Sequence, residues 1–90
     1  MVLSGGGDAA LAKLRLLTKT EAQLDVYAEQ PHDDLVDFAA RGKITLIRRA
    51  LGASDISGAL LVYAANEDAR EDARTSAIAR ADGALVNVVD

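Results

Sequence analysis

The residues with most to offer chemically lie near the amino terminus. Gly5-Gly6-Gly7-Asp8-Ala9-Ala10 has the form G-x-G-x-x-A, with a short apolar stub, Val2-Leu3, before it and helical apolar spacing after it. Gly5 permits a tight turn, Gly7 lets a pyrophosphate approach the backbone with no Cβ in its way, and Ala10 lets a helix pack close to a sheet. The unpaired N–H groups of that helix's first turn can then hold phosphate oxygens. Between a strand and a helix, the motif reads as a dinucleotide site rather than as a plain flexible turn. Asp8 is awkward in an anion site if its carboxylate points inward, so it is expected to cap the helix or to face a ribose. Such sites also use an acid near the end of the second strand, about 20 residues on, to bind the adenine ribose. Asp25 has that spacing but sits mid-strand. Glu29, with Gln30 beside it, lies just past the strand end and is better placed, with a solvated surface carboxylate as the competing reading. An acid there repels a 2′-phosphate and so favours NAD over NADP.

Composition narrows the remaining chemistry. The 90 residues include no Cys and one His, which excludes disulfides, thiolate nucleophiles, iron–sulfur clusters and any multi-His metal centre. No metal ligand set can be assembled. A net charge of −4 argues against general nucleic-acid or anionic-membrane binding. The longest apolar run, Ala59 to Ala65, falls far short of the roughly 20 residues of a membrane span. No basic start leads into a long apolar stretch, so no signal peptide is expected. With 50% hydrophobic residues the chain is not a disordered tail. A cytoplasmic protein with no nucleic-acid or membrane partner is the expectation.

The elements that must position the candidate residues alternate between two periods. Ala10, Leu11, Leu14 and Leu17 fall at helical spacing across Asp8 to Thr18. Leu24 to Ala28 reads as a strand ended by Pro31. Asp33 and Asp34 suit a helix start, Leu35, Val36, Phe38 and Ala39 make its apolar stripe, and Gly42 closes it. Ile44 to Ile47 is a β-branched strand, and Ser54 to Ser57 a single turn. Leu60 to Ala65, apolar throughout, reads as a strand covered on both faces. Asn66 can cap a third helix, with Glu67 and Asp68 in its first turn and Ala69, Ala73, Ala77, Ile78 and Ala81 as its buried stripe. Glu67, Asp68, Arg70, Glu71, Asp72 and Arg74 would then form its solvated face. Gly83 ends that helix before a last strand, Leu85 to Val89. This alternation predicts an α/β fold with a Rossmann-like parallel sheet, strand order 3-2-1-4-5, and helices on both faces.

Three landmarks carry a resemblance to a known family. They are the glycine box with Lys13, Arg15, Leu16 and Leu17 after it, Ala64-Ala65-Asn66-Glu67-Asp68 after the fourth strand, and the closing Asn87-Val88-Val89-Asp90. Together they resemble the amino-terminal part of siroheme synthase, the precorrin-2 dehydrogenase and sirohydrochlorin ferrochelatase family. The resemblance implies an enzyme that oxidises precorrin-2 to sirohydrochlorin with NAD as cofactor, then inserts ferrous iron. It makes Asp90 the catalytic residue, held important for both steps. The cofactor-binding set becomes Gly5, Gly6, Gly7, Asp8, Ala9, Glu29, Gln30 and Asn66. It also implies that residues 1–90 are one NAD-binding domain, truncated at both ends relative to the family, from a homodimeric parent that in some members carries a uroporphyrinogen methyltransferase. The family pattern is departed from at Ala9, Ala12 and Glu21.

Two other features invite attention. His32 reads as a solvated histidine at a helix start rather than an active-site base. Arg41, Lys43, Arg48 and Arg49 could meet the carboxylates of a polyanionic tetrapyrrole, with a plain surface role as the simpler reading. The alternative function is a non-enzymatic NAD sensor, a regulatory module with the same glycine box and sheet. An acid at the end of the fifth strand, which such a sensor does not need, separates the two.

Overall fold

A computed structural model describes residues 1–19, 23–56 and 61–89. Its elements follow the expected alternation: β1 (Val2–Ser4), α1 (Asp8–Leu17), β2 (Asp25–Tyr27), α2 (Asp33–Ala40), β3 (Thr45–Ile47), a 3-10 turn (Ala53–Ile56), β4 (Leu61–Ala64), α3 (Ala69–Ala81) and β5 (Leu85–Val88). The five strands form one sheet in the order β3-β2-β1-β4-β5, and every pairing is parallel. The chain reverses direction across the sheet between β1 and β4, which makes their carboxyl ends a switch point. Ser57 and Leu60, expected at the ends of the turn and the fourth strand, lie outside the described residues.

Successive side chains on a strand face opposite sides of the sheet, so each strand feeds two cores. Leu3, Val26 and Tyr63 join Ala10, Leu11, Leu14 and Leu35 in one. Val2, Tyr27 and Val62 join Leu51, Ile56 and Ala79 in the other. Helices α1 and α2 therefore cover one face, and α3 with the 3-10 turn covers the other. The central strands are buried on both sides, as their apolar runs require. Strand β5 lies at an edge, and Leu85 stands 73% exposed. Among the described residues, no helix is long and apolar enough to cross a membrane.

Helix α3 departs from the expected pattern. Its buried residues are Asp72, Thr75, Ser76 and Ala79, while Ala69, Ala73, Ala77 and Ala81 face water and Ile78 is half-buried. The stripe expected from alanine spacing is thus rotated, and Asp72 belongs to the interior rather than to the solvated face. The reason is hydrogen bonding. Alanine gains little from burial, whereas Asp72 and Thr75 each find a polar partner on the sheet side that offsets their desolvation. The start of the helix also differs. Asp68 is its N-cap, accepting from the N–H groups of Arg70 at 2.9 Å and Glu71 at 3.3 Å. Asn66 does not cap it.

Candidate dinucleotide site

The glycine turn is held from three sides. Gly5 adopts φ +145°, its N–H donates to the Tyr27 carbonyl at 2.9 Å, and a Cβ on it would stand 2.1 Å from the Ala65 carbonyl oxygen. The chain passes there between the ends of β2 and β4, where no side chain fits. The Gly6 carbonyl accepts from the His32 N–H at 2.7 Å. A Cβ on Gly6 would meet Ala28, the Gln30 carbonyl and Pro31, all within 3.1 Å. Gly7 differs. It is the N-cap of α1 in extended conformation with no side chain to cap the helix, and its missing Cβ faces only the Glu67 carboxylate. The first N–H groups of α1 have no intrahelical partner, and the helix dipole leaves them positive. Ala10 is fully buried beneath the turn, which keeps α1 close to the sheet.

Asp8 does not cap α1. It is the first helical residue, its side chain is 90% exposed, and its Oδ1 lies 3.9 Å from His32 Nε2. Its carboxylate is therefore solvated and makes no cap hydrogen bond. Ala9 follows it, half-buried. His32 caps α2, its Nδ1 accepting from the Asp34 N–H at 3.0 Å. Asp25 opens β2 beside Val2, at the opposite end of that strand from the cleft.

A buried polar chain supports the turn from below. Thr75 Oγ1 donates to Ser4 Oγ at 3.4 Å, and Ser4 Oγ donates to Asn66 Oδ1 at 3.1 Å. Asn66 in turn donates from both its backbone N and its Nδ2 to Asp72 Oδ1, each at 2.9 Å. This chain ties β1, the β4–α3 loop and α3 together just where the glycines leave the sheet. Sequence reasoning missed Ser4, Asp72 and Thr75. Their signal was the helical spacing of Asp72, Thr75, Ser76 and Ala79 in α3, and a serine immediately before the glycine box.

At the switch point these parts enclose a cleft of about 190 Å³ lined by Ser4, Gly5, Gly6, Glu29, Asn66 and Asp68. Its volume is below the roughly 300–1,000 Å³ of sites that enclose a whole ligand. Tyr27, which also lines it, keeps its proton more firmly than usual because of burial, then the charges of Asp55 and Asp25. Arg49 lies over its ring, 5.3 Å from the centroid. That guanidinium is held bidentately by Asp55, both bonds 2.6 Å. A second cleft, about 580 Å³, opens on the other side of the β4–α3 loop, lined by Glu67, Asp68, Asp72, Ser76, Val88 and Val89. The structure thus gathers Gly5, Gly6, Glu29 and Asn66 in one cleft, with Gly7, Asp8 and Ala9 at the adjoining helix start and Gln30 presenting its carbonyl to Gly6. Asp90 lies outside the described residues.

Comparison with known proteins gives the chain a family and a fold. A family model described as "Putative NAD(P)-binding" matches residues 1–90. The chain belongs to this NAD(P)-binding family. Within it, the chain is 42% identical to a siroheme synthase of Ectopseudomonas mendocina (strain ymp) over all 90 residues, which make up 19% of that protein. It is 36% identical to a siroheme synthase of Nitrosococcus oceani over 86 residues, 96% of this chain and 18% of the relative. The chain therefore spans about a fifth of the length of these relatives. Among solved structures, SirC, a precorrin-2 dehydrogenase, superposes with a TM-score of 0.83 at 21% identity, covering 96% of this chain and 42% of that one. That likeness establishes the Rossmann-like fold. The resemblance seen in the three sequence landmarks holds over essentially the whole chain, and NAD(P) is the cofactor class of its family.

Proposed function

We propose that this chain is the NAD-binding part of an enzyme that oxidises precorrin-2 to sirohydrochlorin. The observation that carries the reading is the glycine turn at the switch point, where Gly5 and Gly6 share one cleft with the acid Glu29 just past the end of β2. The likeness to siroheme synthases along the full chain supplies the substrate. None of these relatives is a regulatory sensor by name, and the sensor reading is not favoured.

Gly5 and Gly6 shape the turn, Gly7 admits the pyrophosphate to the N–H groups that begin with Asp8 and Ala9, and Glu29 with Gln30 receives the ribose. Asn66 closes the cleft from the β4 side. Glu29 is the reason to expect NAD rather than NADP, since a 2′-phosphate would meet its charge. Bound NAD supplies a hydride acceptor. Asp90 is the group we assign to take the proton released as the macrocycle loses that hydride, a general-base role suited to a carboxylate. Its neighbour Val89 lines the larger, mainly apolar cleft, which suits the substrate side of the reaction. Ferrous iron as a second substrate, a homodimeric parent and a cytoplasmic setting belong to the same proposal.

The test is NADH formation from NAD and precorrin-2 by the longer protein that carries this chain, with Asp90→Ala beside it. Turnover in the parent and its loss in the variant are expected. Undiminished turnover in Asp90→Ala would remove Asp90 from the mechanism, and absence of NADH formation in the parent would overturn the dehydrogenase reading.

A further inference from the structure

Glu67 combines two features that packing does not explain. It is the one described residue other than glycine with positive φ, at +57°. Its side chain reaches from the β4–α3 loop to the start of α1, where Oε2 stands 2.3 Å from the point a Gly7 Cβ would take. That point is the space a missing Cβ leaves at the N-cap of α1. A carboxylate there is favoured by the helix dipole. The same residue lines the larger cleft.

We propose that Glu67 holds the place of the cofactor's pyrophosphate in the free protein and is displaced when NAD binds, so that this residue sets the affinity for NAD. The inference rests on the glycine turn being the pyrophosphate site. A pyrophosphate brought to Gly7 would meet this carboxylate, and like charges at a few ångströms repel even in a wet cleft. Glu67 is exposed, so its side chain can swing into solvent without unfolding the loop. The cofactor is therefore held more loosely than the cradle alone would hold it, and it exchanges faster.

Calorimetric titration of the full chain with NAD tests this, using E67Q, E67G and Gly7→Val beside the parent and thermal melts to verify folding. E67Q keeps the shape and removes the charge. It is expected to bind NAD about 5-fold more tightly, the effect of lifting one like charge from a partly solvated site. E67G removes the side chain and suits the left-handed backbone. It should bind at least as tightly as E67Q and melt at a higher temperature. Inorganic pyrophosphate should compete with NAD at lower concentration in both variants than in the parent. If E67Q and E67G bind no tighter than the parent while Gly7→Val abolishes binding, the role of Glu67 is overturned and the site reading stands. If Gly7→Val binds as the parent does, or if none of the four proteins binds NAD, the pyrophosphate site itself is refuted and the role of Glu67 with it.

Discussion

Gly5 and Gly7 answer to different constraints, although the motif presents them alike. Gly5 is demanded by the fold, because a Cβ there would drive into the Ala65 carbonyl at 2.1 Å and φ is +145°. Gly5→Ala should destabilise the chain by about 2–4 kcal/mol, seen as a lower denaturant midpoint. Gly7 is not demanded by the fold, since its backbone is extended and only a flexible carboxylate faces it, and under the proposed function it is the ligand that requires it. Gly7→Val should cost about 1 kcal/mol, because Val is a poorer N-cap than Gly, and so less than Gly5→Ala, while blocking the phosphate cradle. A melt of Gly7→Val as low as that of Gly5→Ala would show that the two glycines are not separable. Asp72 belongs at this scale too. Its Oδ1 accepts two bonds from Asn66, and Asp72→Ala leaves a part-buried backbone N–H unpaired. The expected cost is about 1–3 kcal/mol, with a smaller loss in Asp72→Asn, whose amide oxygen can accept the same bonds.

Among the elements, α3 and the β3–β4 connection carry the clearest tests. The N-cap of α3 is Asp68, and Asp68→Ala should cost about 1 kcal/mol, while Asn66→Ala should leave the helix start intact. In the β3–β4 connection, Asp55 is only 8% exposed and pairs with Arg49. Its carboxyl is held below the usual range first by the Arg49 hydrogen bonds, then by the Gly52 N–H, against an opposing cost of burial. A depressed folded value means stability that is complete above the ordinary aspartate value, near 4, and is lost as pH falls through the folded one. The acid limb of a stability–pH curve should therefore be shallower in Asp55→Asn than in the parent. Identical acid limbs would show that this carboxylate does not contribute. Surface charge alone would not be expected to matter as much, since exposed ion pairs such as Arg41–Asp37 contribute little.

For the molecule as a whole, cofactor binding and stability are linked. A ligand at about 100 times its dissociation constant adds roughly 2.7 kcal/mol to a domain that binds it only when folded. In a chain of this size, that is a rise in melting temperature on the order of 10 °C. NAD should produce it, and NADP should produce less, because Glu29 lines the nucleotide cleft and repels a 2′-phosphate. Equal shifts with both cofactors would remove Glu29 as the discriminating acid.

The sequence alone was enough for the alternation of strands and helices, the strand order and the placing of the glycine turn. These follow from short-range periodicity, from the near-uniform handedness of parallel crossovers and from glycine's conformational freedom, all of which are local properties. The position of Glu29 at the cleft was legible too, as an acid just past a strand, here two residues beyond β2. The buried face of α3 was not. Alanine spacing pointed to one side of that helix, but the side that faces the sheet is decided by whether Asp72 and Thr75 can reach Asn66 and Ser4, residues far off in the chain. The same holds for the cap of α3, which passes from Asn66 to Asp68 because Asn66 is bound to Ser4 and Asp72 instead. Only the folded sheet also brings Glu67 over Gly7. Periodicity records which residues could be buried, whereas hydrogen-bond partners and close backbone approaches between distant segments exist only once the strands have paired.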